Sequence, residues 1–136
     1  MKYSNKYKNK NHLIKTKNKI CSSVLHFGNI GLISLDSKYL NSKELESCKR
    51  NILKRIKSKG TLIVKVNPFL GVTSKPFATR MGKGKGMIDK WVLPAKKSMV
   101  LFEVKCPEQN ITQVKWALNL ASNSLSIKTK IVENIF

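Results

Sequence analysis

The residues with the clearest chemical potential form a short stretch in which lysines alternate with glycines. It reads Lys75-Pro76-Phe77-Ala78-Thr79-Arg80-Met81-Gly82-Lys83-Gly84-Lys85-Gly86. If the run is extended, Lys83 and Lys85 project to one side and the glycines leave the other side without side chains. So narrow a backbone can enter a crevice with its amides close to phosphates. The Arg80 guanidinium suits a phosphate or a base edge. The pattern predicts contact with a nucleic acid.

A nucleotide-binding glycine loop is the competing interpretation of this stretch. Its spacing is Gly-x-Gly-x-Gly rather than Gly-x-Gly-x-x-Gly, and no Lys-Ser or Lys-Thr pair follows it as in a phosphate-binding loop. No regular element is predicted between Val66 and Lys90, so the stretch does not open a helix. A connection this long within a compact domain usually has a functional reason. RNA contact is therefore favoured over nucleotide chemistry.

The overall charge also points to a polyanionic partner. The chain of 136 residues has 27 Lys and Arg against 7 Asp and Glu, a formal net charge of +20. Self-repulsion of this size disfavours the free compact state unless a dense polyanion neutralises it. Nucleic acid is the default partner, and an anionic membrane surface is the alternative. A membrane-active protein would need its basic residues opposite an apolar helix face, whereas much of this charge lies in a non-periodic segment and a glycine loop.

The first 27 residues are predicted to form an extended basic tail. They contain seven lysines, and the first acidic residue of the chain is Asp36. Such a segment buries too little apolar surface to order itself, so we expect it to order on its partner, although a solvated tail is the alternative. Lys6, Lys8 and Lys10 are its candidate RNA contacts. Residues 28–136 are predicted to form one globular domain that carries a basic loop at 67–90.

The globular part is predicted to be an α+β domain. Strands are indicated over 30–35, 61–66, 91–93, 99–104 and 128–133, and a second helix over 112–123. The first helix is predicted to begin at Asn41, three residues before Glu44 as in a capping box, and to run to about Lys59, where Gly60 ends it. We expect one mixed sheet with two helices packed on it, a long basic glycine-rich loop and the extended tail.

The first helix has a candidate RNA-binding face. Leu45, Cys48, Ile52 and Ile56 recur at helical spacing and form the buried stripe, and basic residues lie off it. Such a face is usually only solvated. We expect no Glu to balance it through i, i+4 pairs, which favours RNA contact through Arg50, Lys54 and Lys57.

Catalytic and metal chemistry are not indicated. Cys21, Cys48 and Cys106 lie far apart with no Cys-x-x-Cys spacing, and the two histidines are not placed to complete a zinc site. The seven acidic residues are scattered, and neither histidine has an evident catalytic partner. No apolar run reaches the roughly 18 residues of a membrane span. We expect neither an enzyme nor a bound metal or cofactor.

A family resemblance emerges once the glycine-basic stretch is combined with motifs nearer the C-terminus. Lys75-Pro76, the run from Arg80 to Gly86, Trp91-Val92 and Val100-Leu101-Phe102-Glu103 together resemble the signature of bacterial-type large-subunit ribosomal protein L-sixteen. Weaker similarity covers about three quarters of the chain. The N-terminal region resembles the family only through fragments such as Lys6-Tyr7-Lys8.

The resemblance implies a function in translation. It implies an α+β domain seated on large-subunit rRNA, beside neighbouring large-subunit proteins, with its loop reaching towards the tRNA sites near the peptidyl transferase centre. The family helps shape the A-site for aminoacyl-tRNA, and the contact could extend to P-site tRNA. The loop residues expected to bind RNA are Lys75, Arg80, Met81, Gly82, Lys83, Gly84, Lys85 and Gly86, with Lys90 beyond them. No homo-oligomer and no membrane association is expected.

The kind of basic residue indicates the genome of origin. The chain has 24 Lys and only 3 Arg. Asn and Ile are also abundant, and the codons of all three common residues are AT-rich. An organelle-encoded copy is therefore predicted, with a mitochondrial ribosome as the first choice and a plastid or an AT-rich bacterium as alternatives.

Overall fold

The computed structural model describes residues 24–133, which form seven strands and two α-helices. In chain order these are β1 (Ile30–Ser34), β2 (Lys38–Asn41), α1 (Ser42–Ile56), β3 (Thr61–Val64), β4 (Leu70–Ser74), β5 (Met87–Ala95), β6 (Val100–Lys105), α2 (Ile111–Ser122) and β7 (Thr129–Glu133). A short 3-10 turn, Glu108–Asn110, precedes α2. The predicted α+β class is confirmed.

The strands form two sheets, both with antiparallel pairing throughout. The first has the order β3-β6-β1-β7, and the second has the order β2-β5-β4. The prediction of one mixed sheet is corrected in this detail. Two strands, β2 and β4, were not predicted; they are only four and five residues long and are the two partners of β5. Because the sequence does not indicate these two partner strands, it gives no reason to place β5 in a second sheet.

The region from Val66 to Lys90 is more regular than predicted. It contains all of β4 and the first four residues of β5. The first part of β5 is mostly exposed, so its side chains do not alternate between a buried and a solvated face. Alternation is the usual sequence signal for a strand. Of the predicted loop, only residues 67–69 and 75–86 lie outside regular elements, and residues 75–86 connect the two strands of a β4–β5 hairpin.

Helix α1 follows its sequence signals closely. The Glu44 carboxylate accepts the backbone N–H of Asn41 at 3.4 Å, as expected for the first turn of a capped helix. Leu45, Cys48, Ile52 and Ile56 are buried, as the periodicity predicts. The helix ends at Ile56 rather than near Lys59, because Lys57 adopts a positive φ of 51° that an α-helix cannot continue through.

The core lies between the helices and the sheets. The helices pack on each other; α1 also contacts β2, β3 and β5, and α2 contacts β1 and β7. The predicted inward residues of α2, namely Val114, Ala117, Leu118 and Ala121, are all buried. They meet Ile30, Leu32 and Phe102 of the first sheet in one apolar cluster. Burying each large aliphatic side chain stabilises the fold by about 1.5–3 kcal/mol, so this layer fixes the first sheet. Leu93 and Ala95 of β5 belong to the same cluster and connect the second sheet, which carries the β4–β5 hairpin, to the core.

The other face of the first sheet is covered by the chain that leads into β1. Leu25 is buried and packs with Ile33 and Val100 in a second, smaller cluster. The proposed tail lies outside the described residues up to position 23, including Lys6, Lys8 and Lys10. Its proposed boundary at residue 27 remains a prediction. The burial of Leu25 shows that the chain already lies on the sheet before that point.

A buried carboxylate fixes this entering segment. Glu103 of β6 is 0% exposed, and it accepts backbone N–H groups from Phe27 at 2.8 Å, Gly28 at 3.1 Å and His26 at 3.4 Å. The Lys65 ammonium lies 3.6 Å from the same carboxylate and 4.5 Å from the centre of the Phe27 ring. These five residues are called the Glu103 anchor.

The hydrogen bonds determine the charge state of Glu103. Burial alone would raise the pKa of its carboxyl group. The three backbone N–H groups and the Lys65 ammonium outweigh that effect and hold the pKa below its ordinary value of 4.5. Glu103 is therefore ionised at neutral pH, and its negative charge is balanced within the protein by these N–H groups and the Lys65 ammonium.

Candidate nucleic-acid interface

The candidate interface is built on the hairpin loop of residues 75–86. The strands on either side are paired up to Ser74 and Met87, so both ends of the loop are held by the second sheet. Gly86 allows this closure, because a Cβ atom there would lie 2.3 Å from the Ser74 carbonyl oxygen and 2.8 Å from its carbonyl carbon. No larger residue fits without moving backbone. The loop therefore begins from a defined base.

Within the loop, the chain turns rather than running extended. The Thr79 N–H donates to the Pro76 carbonyl oxygen at 3.0 Å, which closes a four-residue turn. Gly82, Lys83 and Gly84 all have positive φ, at 97°, 53° and 91°. The extended arrangement considered from the sequence is therefore wrong at these three residues. The glycines on either side of Lys83 permit this left-handed bend.

Lys75 and Gly82 connect the two arms of the loop. The Lys75 ammonium donates to the Gly82 carbonyl oxygen at 2.5 Å. This bond runs from the first residue of the loop to the start of the left-handed bend. Lys75, expected from the sequence to bind RNA, thus also stabilises the shape of the loop.

The loop presents positive charge to solvent. Arg80, Lys83 and Lys85 are exposed, as is Lys75, and residues 75–86 contain no acidic residue. Lys90 is also exposed, but it lies in β5 opposite Val72 and outside the loop. Exposed cations bind phosphates through direct contact and counterion release. The structure thus gathers most of the predicted contacts into one surface and leaves Lys90 on the adjoining strand.

Two large apolar side chains in this loop are exposed as well. Phe77 is 109% exposed and Met81 is 98% exposed. Met81 was predicted to take part through the family resemblance, whereas Phe77 was not singled out. The signal available in the sequence was an aromatic residue placed within a basic, glycine-rich run, which is a pattern typical of proteins that stack on bases.

The predicted basic face of α1 is less free than expected. The Arg50 guanidinium lies 3.8 Å from the Glu46 carboxylate, one helical turn earlier. The expectation that no Glu balances this face is therefore wrong, since Glu46 is such a residue. The Arg50 side chain is 81% exposed and that of Glu46 is 42% exposed, so solvent weakens the pair and it contributes little to stability. Lys54 and Lys57 are exposed, and Lys57 occupies the left-handed position after the helix.

Arg55 has a structural role between the helices. Its guanidinium lies 5.6 Å from the centre of the Trp116 ring of α2, and one of its terminal nitrogens donates to the Asn51 carbonyl oxygen at 3.3 Å. The Gln113 side chain of α2 donates to the Arg55 carbonyl oxygen at 3.4 Å. A guanidinium over an aromatic face adds a modest attraction. Arg55 thus holds α1 and α2 together.

The thiols are buried. Cys48 and Cys106 are free, and burial raises the pKa of Cys48 to about 12 despite a hydrogen bond from Ser124, while burial also raises the pKa of Cys106. Cys21 lies outside the described residues. Residues 24–133 contain no group of three or more His, Cys, Asp or Glu placed to hold a metal ion. Neither of the two α-helices in this range is long and apolar enough to cross a bilayer.

Comparisons with known proteins identify the family. Residues 2–132 match the model of the family described as ribosomal protein L16p/L10e. Curated relatives named large ribosomal subunit protein uL16 include that of Carsonella ruddii, 39% identical over 96% of this chain and 93% of the relative. The protein of Petrotoga mobilis is 35% identical over 82% and 78%, and that of Mesomycoplasma hyopneumoniae is 37% identical over 80% and 79%. The chain belongs to the ribosomal protein L16p/L10e family, whose members are ribosomal proteins and not enzymes.

Proposed function

We propose that this protein is a structural constituent of the large ribosomal subunit that binds large-subunit rRNA and helps shape the A-site for aminoacyl-tRNA. The observation that carries the proposal is the exposed loop of residues 75–86, which has four basic residues and no acidic one. Its base is held by paired strands, so its cations are presented from a fixed position. The RNA performs the chemistry of peptide-bond formation, and the protein contributes charge and shape.

The distribution of negative charge supports this proposal. All seven acidic residues of the chain lie within residues 36–133, and none is in the loop. Glu46, Glu103 and Glu133 form ion pairs with basic residues of the body. Glu44 accepts hydrogen bonds from the start of α1 and from the Ser126 hydroxyl. The body thus neutralises part of its own charge, whereas the loop depends on a partner for neutralisation.

Attachment and loop function are separate in this proposal. The tail lysines Lys6, Lys8 and Lys10, together with Lys54 and Lys57 of the body, supply cations for rRNA outside the loop. Each phosphate neutralised by a cation adds to the salt dependence of binding. Arg50 contributes less, since Glu46 already lies beside it. The loop is then free to serve the tRNA site, where it contacts A-site tRNA and adjoins P-site tRNA, while the body meets neighbouring large-subunit proteins.

The proposed location is the mitochondrial ribosome. The support is compositional, since Lys outnumbers Arg by 24 to 3 in the whole chain. The three relatives named above are bacterial, so a plastid or an AT-rich bacterium remains an alternative location for the same function. Mass spectrometry of ribosomes purified from isolated organelles of the source organism would decide among them.

A density map of the source ribosome with A-site tRNA bound tests the proposed function. The map should place residues 75–86 between large-subunit rRNA and the tRNA, with Arg80, Lys83 and Lys85 within contact distance of phosphates. A map in which the loop faces solvent or another protein, away from every tRNA, would contradict the A-site part of the proposal. Absence of the protein from the large subunit would contradict all of it.

A further inference from the structure

Phe77 has an unusual environment for a phenylalanine. Among the described aromatic residues of this chain it is the most exposed, at 109%. Two other exposed rings have cationic partners within the protein, since Phe27 lies beside Lys65 and Trp116 lies beside Arg55. A phenyl ring in water forgoes about 1.5–3 kcal/mol of burial. A phenylalanine ring that is fully exposed in the free protein is therefore a candidate for contact with a partner that buries it.

The backbone keeps this ring at a defined place in the loop. Phe77 is the second residue of the turn closed by the Thr79 N–H and the Pro76 carbonyl oxygen. Pro76 restricts the chain on one side of it. The bond from the Lys75 ammonium to Gly82 ties the arm that carries Phe77 to the bend that carries Lys83. The ring and the cations thus belong to one connected loop structure.

The charge around the ring selects the class of partner. Residues 75–86 carry four basic groups and no acidic one. Inserting the ring into an apolar protein pocket would bring these cations against a low-dielectric surface, which is costly for unpaired charges. An unpaired nucleobase offers a flat π face for the ring, and its own backbone supplies phosphates for the cations. Stacking of this kind contributes at any base, because every base has such a face.

We propose that Phe77 stacks on an unpaired nucleobase while Arg80, Lys83 and Lys85 hold the neighbouring phosphates. The inference rests on the proposed function, because it assigns a base contact to the same loop. The base belongs either to large-subunit rRNA or to the A-site tRNA, and base-modification experiments distinguish these sources. Phe77 thereby adds a contact that salt does not screen to a surface that otherwise binds through charge.

The test uses large subunits assembled with full-length protein carrying Phe77→Ala, Phe77→Leu or Phe77→Tyr. Met87→Ala is the matched control, since Met87 is an exposed apolar residue (81%) at the start of β5, just outside the loop. The readouts are chemical modification of unpaired bases, with and without A-site tRNA, and the dissociation constant of A-site aminoacyl-tRNA. Both side chains that are replaced are exposed, so the variants should fold and assemble.

Phe77→Ala and Phe77→Leu should expose one or a few bases to modification, whereas Phe77→Tyr and Met87→Ala should leave the native pattern. A newly reactive rRNA base in subunits without tRNA identifies the base as ribosomal. A newly reactive tRNA base, with A-site binding weakened about five- to hundredfold, identifies it as part of the tRNA. Either result supports stacking.

Two outcomes would overturn the inference. In the first, no base changes its reactivity and Phe77→Leu binds A-site tRNA as the native protein does. That result would show that any apolar group suffices at this position, as in a protein pocket. In the second, all Phe77 variants behave like the native protein, which would show that the ring makes no contact.

A parallel set of subunits with Arg80, Lys83 and Lys85 all changed to Ala keeps the two proposals separate. If these subunits bind A-site tRNA poorly while every Phe77 variant is normal, stacking fails and the proposed function stands. If the triple-alanine subunits also bind A-site tRNA normally, the A-site part of the proposed function fails.

Discussion

The Glu103 anchor and the loop of residues 75–86 show two opposite uses of charge in one small protein. At the anchor, a fully buried carboxylate accepts three backbone N–H groups and pairs with Lys65. In the loop, Arg80, Lys83 and Lys85 are exposed, and no acidic residue accompanies them. The anchor completes its interactions within the chain. The cations of the loop lack an acidic partner within the loop and can be neutralised by the phosphates of a bound RNA. This difference is the physical basis for proposing that the loop binds RNA.

Gly84 and Gly86, two glycines of the loop, differ in a similar way. Gly86 faces the backbone of Ser74, and a Cβ atom there would lie 2.3 Å from the Ser74 oxygen. Gly84 has a φ of 91°, and apart from its own and its two neighbours' atoms nothing lies within 4 Å of the position that a Cβ would take. Gly86 thus serves packing at the base of the loop, whereas Gly84 serves the bend at its tip and leaves space around it.

The largest effect on stability should follow from removing the anchor carboxylate. Glu103→Ala leaves three backbone N–H groups without their acceptor, that of Gly28 in a buried position, and Lys65 without its partner, so we expect it to lower the free energy of unfolding by about 3 kcal/mol. Denaturant titration of the full-length protein measures this change. Glu46→Ala is the control and should cost less than about 1 kcal/mol, because its pair with Arg50 is exposed. Equal effects of the two substitutions would show that the Glu103 anchor contributes no more to stability than an exposed ion pair.

The anchor should also make stability depend on pH. The pKa of Glu103 is lower in the folded protein than its ordinary value of 4.5. Its contribution is therefore fully present above about pH 4.5 and is lost as the pH falls through the lowered folded-state pKa. Denaturant titrations between pH 6 and pH 3 should show this loss in the native protein and a smaller one in Glu103→Gln. Identical pH profiles would contradict the ionised state assigned to Glu103.

The anchor illustrates what could not be predicted from sequence. The α+β class, the buried stripes of both helices and five of the seven strands follow from local periodicity, which each segment carries by itself. Glu103 stands in the middle of β6, and only the tertiary structure brings residues 26–28 across the sheet to reach it. The second sheet was missed for a similar reason, since β2 and β4 are short and gain their stability from pairing with β5.

The loop was predictable in composition but not in conformation. Its basic and glycine residues stand in the sequence, and the hypothesis that it contacts RNA rests on those residue types. The left-handed bend at Gly82, Lys83 and Gly84 could not be predicted, because alternating Lys and Gly are compatible with both an extended and a turned chain. Phe77 was overlooked because a lone phenylalanine more often belongs to a core, and only its exposure in the structure separates the two cases.

The two glycines should respond differently to alanine. Gly86→Ala forces backbone apart at the base of the hairpin, and we expect a loss of about 1–3 kcal/mol in unfolding free energy. Gly84→Ala meets no atom and bears only the cost of its positive φ, about 1 kcal/mol. Hydrogen exchange at the amides of residues 72–74 and 87–89 is the second measurement. It should rise in Gly86→Ala and stay near native in Gly84→Ala, and the reverse order would refute the division between base and tip.

The smallest effect on stability should come from the loop charges. Arg80, Lys83 and Lys85 are exposed, so changing all three to Ala should alter the unfolding free energy by no more than about 0.5 kcal/mol. The salt dependence of rRNA binding should flatten by up to about three units, if all three contact phosphates of the rRNA fragment used. Changing Lys43, Lys128 and Lys130 to Ala is the matched control, because these exposed lysines of the body are not assigned to rRNA and their removal should leave the salt dependence nearly unchanged. A large loss of stability in the loop variant would mean that its cations serve the fold.

The central claim is that the loop works at the tRNA site and is not needed for attachment. Large subunits assembled with the Arg80, Lys83 and Lys85 triple-alanine variant test it most directly, with the rate of aminoacyl-tRNA accommodation in the A-site as the measurement. We predict that the variant enters the subunit in normal amount, because the body and tail retain most of the 27 basic residues, and that accommodation is slowed. Subunits that contain the variant in full and accommodate aminoacyl-tRNA at the native rate would contradict the claim.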